Sequence, residues 1–341
     1  MKNVTNVLAG VVVIVGLLPG SGACFDSGST GADGDFSPQV STEVQLPPNG
    51  VLNYRGVNIP VGVTVRFKRN ATNTPVTMLV AGDVVIAGTI NLDGEAAPPT
   101  GRVQGNDDFL DDGLPGKGGA GGFDGGHGGL PASSQCVGSR GLGPGGGGGG
   151  SSSSLINGGP AAHATAGYPS QGNIGRPGST YGSTYLLPLI GGSGGGGSFC
   201  GSSYRGSGGG GGGGAILLAA TGRVDISGRI TANGGAGPFN SASHGGSGSG
   251  GAIRIVATQI VGTGAISADG GGGAVYGGAG RVRVEADGIG GLGSVSPPFS
   301  FSTPGPLFMA SQPALRFASV AGIPVPGEPT GSNDLTIPTT T

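Results

Sequence analysis

Few residues in this chain are suited to chemistry. The densest polar cluster is Asn106-Asp107-Asp108-Phe109-Leu110-Asp111-Asp112-Gly113, four carboxylates and an amide in eight residues closed by glycine. Calcium takes about six to eight oxygen ligands, so Asp107, Asp108, Asp111 and Asp112 form a candidate calcium site, and calcium is the one cofactor suggested. Their spacing matches neither the helix-loop-helix calcium loop nor the Gly-Gly-x-Gly-x-Asp roll, and a solvated acidic loop is the competing reading. Asp124 and His127 are too few for a transition-metal site, and His163 and His244 sit in unrelated loops, where a structural role is expected. The serines lie in Gly/Ser runs without the Gly-x-Ser-x-Gly context of a nucleophile. Lys117 is followed by glycine, so the phosphate-loop motif fails. No catalytic residues are assigned. A polysaccharide lyase or hydrolase would draw on Asp83, Asp225 and Arg223. Arg223, Arg229, Arg254, Arg281 and Arg283 are expected as an exposed stripe. It would either bind an acidic polysaccharide or solubilise the surface and pair with Asp225 and Glu285.

The elements that would hold these residues are repeats. Gly82, Val84, Ile86, Gly88, Ile90, Leu92 and Gly94 align with Gly222, Val224, Ile226, Gly228, Ile230, Ala232 and Gly234, and a third copy joins at Gly264, Ile266, Ala268 and Gly270. Apolar residues at every second position are strand periodicity, and the glycines mark sharp turns. A self-similar strand-and-turn unit cannot bury its own apolar face, so copies must stack. The fold class expected is all-β: a parallel β-helix (β-solenoid) with a long glycine-rich insert. Asp225, Ser227, Arg229, Thr231, Arg254, Thr263 and Ser267 are expected to face outward, and Val, Ile, Leu and Ala inward. Asp93, Asn233 and Asp269 precede closing glycines and read as a ladder of turns.

The domain plan follows. Residues 1–23 form a signal peptide: Lys2, an apolar run Val7–Leu18 too short to span a bilayer comfortably, and small residues before Cys24. Cys24 is a lipidation candidate, although Ser21 departs from the leucine usual before a lipobox cysteine, and plain secretion is the alternative. Cys136 and Cys200 can pair in an oxidising compartment, which leaves Cys24 odd unless it carries lipid. Residues 24–50 read as a Ser/Gly/Asp/Pro tether with solvated Asp33 and Asp35. Residues 51–94 hold an N-terminal cap, including one alternating strand Val57–Phe67 bent or edged at Pro60, and the first repeat. Residues 95–214 are a glycine-rich insert, either mobile or packed as polyproline-II-like segments, with Tyr181–Ile190 as its docking patch. Residues 215–290 carry the further repeats, and 291–341 a Pro/Ser-rich segment with short strands. Glycine makes up 83 of 341 residues, against an average usage of about 7%. A net charge of −2 leaves no electrostatic footprint for nucleic acid.

These motifs resemble those of a group of glycine-rich secreted, lipoprotein-like bacterial β-helix proteins. The resemblance runs from Gly31–Pro38 through Val57–Val65 and Ala81–Ile90 to Gly250–Ala257. It implies a cell-surface or extracellular protein and brings no functional residue with it. The expected function is a non-enzymatic, secreted or envelope-attached structural or adhesive solenoid. Its partners would be polysaccharide or matrix components, with a membrane reached only through a lipid on Cys24. A polysaccharide-binding or polysaccharide-degrading enzyme is the first alternative. An ice- or surface-binding solenoid using Thr89, Thr231 and Thr263 is the second.

Overall fold

The computed structural model describes residues 25–99, 113–130, 136–169, 172–200, 205–238, 243–309 and 318–325. Among them the protein is all-β, with no helix. In chain order the strands are β1 (Asp35–Phe36), β2 (Thr42–Gln45), β3 (Val51–Tyr54), β4 (Gly56–Ile59), β5 (Thr64–Lys68), β6 (Val76–Val80), β7 (Val84–Ile86) and β8 (Thr89–Asn91). There follow β9 (Tyr168–Pro169), β10 (Ala215–Ile226), β11 (Arg229–Thr231), β12 (Ala252–Val261), β13 (Ala265–Ser267), β14 (Val275–Tyr276), β15 (Arg281–Gly290), β16 (Ser294–Ser296) and β17 (Ser300–Ser302). A hairpin of β18 (Ser319–Val320) and β19 (Ile323–Pro324) ends the described chain.

Two long parallel sheets dominate. The first runs β1-β4-β7-β10-β12-β15-β17, with β6 and β3 extending beside β10; the second runs β16-β13-β11-β8-β5-β2. The chain visits the first sheet, turns into the second, and returns to the first one strand further along. Register follows the repeat: Val84 lies beside Val224, Ile86 beside Ile226, and Ile230 between Ile90 and Ile266. All of these are buried, so the alternation read from the sequence is the inward face. β6 and the first six residues of β10 are buried throughout. The unbroken Ala-Ile-Leu-Leu-Ala-Ala start of β10, beside a β6 that is apolar but for Thr77, suits strands covered on both faces. Leu217, Leu79 and Val256 form the outer layer, under Phe25, Leu189 and Leu307. Leu186 docks the segment Tyr181–Ile190 against Ala215 and Ala252.

The glycine-rich insert is packed. Gly209, Gly210, Gly211, Gly212, Gly213 and Gly214 donate in turn to the carbonyls of Gly126, Gly246, Glu95, Phe123, Ser249 and Leu92. Each neighbouring segment recurs every third residue, which is the period of a polyproline II helix. The carbonyls of the same run accept from Gly116 and Gly119, from Gly195 and Gly192, and from Gly235. A Cβ on Gly212 would collide with the backbone of Gly192 and Ser193, and one on Gly210 with that of Gly235 and Ala236. Only glycine permits backbones to approach so closely. Ladder donors and acceptors are thereby satisfied without side chains. Cys136 and Cys200 are joined as a disulfide across this layer, Cα atoms 5.0 Å apart.

Three expectations need correcting. Residues 25–50 are no free tether. Ser27 Oγ donates to the Val80 carbonyl at 2.8 Å, Asp33 Oδ2 accepts from the Asn53 amide at 2.6 Å, and β1 and β2 are outer strands of the two sheets. Hydroxyl and carboxylate side chains here bond to backbone instead of solvent, which composition could not reveal. It follows that Val51–Phe67 is not the terminal cap, because a further turn lies beyond it. Val57–Phe67 is two strands, β4 and β5, with a corner at Pro60–Val63 that leaves Val61 82% exposed. The missing N–H of Pro60 fits that corner. The Pro/Ser-rich segment carries short strands as expected, and β16 and β17 add to the second and first sheets.

Candidate functional site

Asp93, Asn233 and Asp269 stack at one corner of the sheets. Asp93 Oδ1 accepts from the Asn233 amide at 2.6 Å, Asn233 Oδ1 from the Asp269 amide at 2.9 Å, and Asp269 Oδ1 from Ser296 Oγ at 2.6 Å. Each side chain ties its own turn to the next, an Asx-type use of short polar side chains. Burial pushes the Asp93 carboxyl up from its ordinary value, partly countered by the Asn233 amide bond. The residues form a structural ladder in which Oδ1 of each is occupied by the next turn.

Asp83, Arg223 and Asp225, separated in the sequence, come together on the outside of the first sheet. Asp83 Oδ1 accepts from the Arg223 amide at 2.7 Å, and the Arg223 guanidinium pairs with Asp225 at 2.9 Å. Both Asp83 and Arg223 are exposed. One carboxylate holds a backbone amide and the other a guanidinium, which is how a surface ion pair steadies a turn.

The expected arginine stripe is broken. Arg254 and Arg283 are 2% and 7% exposed, beneath the segment 303–309. They flank Glu285, itself 1% exposed. Its Oε1 accepts from Arg254 Nε at 2.9 Å and from Arg283 Nε at 2.6 Å, and its Oε2 from Arg254 Nη2 at 3.1 Å and the Gly305 amide at 2.9 Å. Arg254 also donates to the carbonyls of Pro306 and Leu307, and Arg283 reaches Ser302 Oγ at 2.7 Å and lies 5.0 Å over the Tyr185 ring. Burial by itself would push the Glu285 carboxyl up. The hydrogen bonds from Arg254 and Arg283, with the Arg254 charge, outweigh it and hold the group below its ordinary value. Arg254 does face out of the inner core, as its strand position dictates. The correction is that a second layer, absent from the repeat pattern, covers it. The cluster fastens that layer to the sheet.

His163 is buried and stacks on Tyr181 with ring centroids 4.6 Å apart. Its Nδ1 lies 2.9 Å from the Gly250 carbonyl, an acceptor only, so Nδ1 carries the proton. Burial lowers its pKa to about 4. Tyr181 donates to the Gly191 carbonyl and accepts from Ser193, and burial raises its pKa to about 12. Nothing local in the sequence signals this contact, because its partners come from three separated segments.

Thr89 and Thr231 do not stack on each other. Thr89 lies beside Arg229, and Thr231 beside Asn91 and Ser267, so the strand register interrupts the flat threonine ladder of the ice-binding reading. Asp124 pairs with Arg69 at 2.6 Å, and the His127 amide donates to Ser139 Oγ. Among the described residues no group of three or more His, Cys, Asp or Glu is placed to hold a metal. Asp107, Asp108, Asp111, Asp112 and Cys24 lie outside the described residues. No protein-family model matches the chain, and neither does any curated protein or solved structure.

Proposed function

We propose that this chain is a non-enzymatic β-solenoid that is exported, acting in adhesion or as surface-coat material outside the cell. The observation that best supports this reading is how its polar side chains are used. Asp93, Asn233 and Asp269 are occupied by the next turn's amide or hydroxyl, and Glu285 by two guanidiniums. A catalytic acid or base would need such groups free to meet a substrate. The disulfide Cys136–Cys200 supports an oxidising compartment. The apolar N-terminal run, and Cys24 behind small residues, support export with a lipid anchor on Cys24 as its envelope-attached form.

The test incubates the protein with soluble and insoluble polysaccharides and reads both retained protein and new sugar ends. Retention without cleavage, in a chain recovered from the medium or envelope fraction, is the expected result. New sugar ends abolished by Asp225→Ala would overturn it in favour of a polysaccharide-degrading enzyme.

A further inference from the structure

Arg281 is an arginine that the fold leaves uncompensated. It opens β15, and its Nη2 donates to the Tyr181 carbonyl at 3.1 Å. Its Nε is buried with no hydrogen-bond partner, and among the described residues no carboxylate forms an ion pair with it. A buried donor without a partner carries a desolvation cost; this nitrogen is closed to solvent, so a ligand in the cleft would meet the rest of the guanidinium. Two residues along the same strand, Arg283 shares the single carboxylate of Glu285 with Arg254 of the neighbouring β12. The four side chains together hold three positive charges and one negative.

A cavity of about 130 Å³ lies here, lined by Arg281, Thr165, Thr184, Ser300, Pro297 and Pro298 among others. That is room for several waters or one small charged group. Thr165 Oγ1 accepts from the Ala279 amide, so its own proton is available to a ligand, while Ser300 donates to the Thr184 carbonyl. Two exposed tyrosines stand close in the chain to residues that line the cavity, without lining it themselves. Tyr185, next to Thr184, is 64% exposed, with Arg283 over its ring. Tyr168, three residues beyond Thr165, is 70% exposed and pairs across β9 and β14 with Tyr276, which is 46% exposed. A tyrosine offers an apolar face and a polar tip, which suits a sugar ring with its mixture of C–H and hydroxyl groups. An arginine fork offers two parallel donors to a carboxylate or sulfate.

We infer that the Arg281 cleft binds the pendant carboxylate or sulfate of an acidic polysaccharide whose neighbouring sugar rings lie on Tyr185 and Tyr168. The inference rests on the adhesive reading and names its ligand class.

The full chain is titrated with polygalacturonate, dextran sulfate and neutral dextran at physiological salt. The two charged polymers separate a carboxylate ligand from a sulfate ligand. Expected is binding of at least one of them and not of neutral dextran, weakened about tenfold or more by Arg281→Gln. Arg66→Gln removes the same charge from an exposed position of β5 and should leave binding within about twofold. Tyr185→Ala and Tyr168→Ala should each weaken it severalfold. Equal loss in Arg281→Gln and Arg66→Gln, or no binding to either charged polymer, overturns the site. If Arg281→Gln does not fold, Arg281→Lys is used, which keeps the charge and loses the fork. Unchanged binding in that variant also overturns the site. Retention on neutral polysaccharide independent of Arg281 would sink this site and leave the adhesive reading standing. New sugar ends would sink the adhesive reading whatever Arg281 does.

Discussion

The stacked strands and the glycine layer solve the same problem by opposite means. In the strands, backbone donors and acceptors pair along two parallel sheets, and side chains such as Ile86, Ile226, Ile230 and Ile255 fill the interior. In the glycine layer, backbones pair in several directions at once, as around Gly209–Gly214, and scarcely any side chain enters. Burial of apolar area, worth about 25 cal/mol per Å², favours the first. The second has little such area, and glycine loses more backbone entropy on ordering than any other residue. The layer must therefore depend on dense hydrogen bonding, on its attachment to the strands and on the Cys136–Cys200 bridge. One region tolerates changes of side-chain shape at a graded cost; the other, at positions such as Gly210 and Gly212, has no room for a Cβ.

The largest effect should come from placing a charge in the strand interior. Ile226 is 2% exposed, and Ile226→Asp should cost on the order of 5 kcal/mol or more and remove the cooperative melt followed by circular dichroism. A native-like melt would mean that Ile226 does not face inward. Next comes Gly212→Ala, whose methyl would meet the Gly192 and Ser193 backbone. Because backbone cannot yield as a side chain can, a loss of about 3 kcal/mol or more is expected in denaturant titration. A loss no greater than that of an exposed glycine would show that the layer is not close-packed. Gly272 provides that reference, since a Cβ there meets nothing within 4 Å, and Gly272→Ala should stay within about 0.5 kcal/mol of the parent.

Two intermediate effects test how the outer layers are fastened. Glu285→Gln leaves Arg254 and Arg283 buried without their carboxylate and should cost about 3 to 5 kcal/mol. The Glu285 carboxyl is held below its ordinary value of 4.5, so its contribution is complete above that pH and is lost as pH falls beneath it. The parent should lose stability through that acid range more steeply than the variant; parallel curves would count against the cluster as a fastening. His163 acts at higher pH. Its pKa falls from 6.5 in the unfolded chain to about 4 in the native one, so the unfolded state binds the extra proton between those values. Stability should decline from about pH 6.5 towards 4, by roughly 3 kcal/mol in all. His163→Gln should flatten that limb in unfolding midpoints measured at pH 7, 5 and 4, and an unchanged slope would move the effect to another group.

The strand register was legible because it has a local cause. Period-two alternation and glycine at fixed offsets align Ile90, Ile230 and Ile266 from residue type and spacing, and the folded chain pairs them in that alignment. The Asp93–Asn233–Asp269 ladder was legible for the same reason. The outer layer was not. Arg254 and Glu285 look like exposed positions on a strand, and only the return of residues 303–309 and 183–190 over that face buries them. The Ser/Gly/Asp-rich start of the described chain reads as a linker by composition. What makes it a turn of the fold is a set of side-chain bonds to strand backbone many residues away, such as Ser27 to Val80.

The sequence by itself determined the all-β class, the inward and outward faces of the repeats and the ladder at their corner. Those depend on residue type and spacing within one turn. The tertiary structure alone decided that the glycine runs pack as a hydrogen-bonded layer and that Arg254 and Arg283 are buried around one carboxylate. It also decided that Arg281 lies beside a small cavity with no carboxylate paired to it among the described residues. These outcomes depend on which distant segments come to lie on a given face, and short-range periodicity carries no information about that.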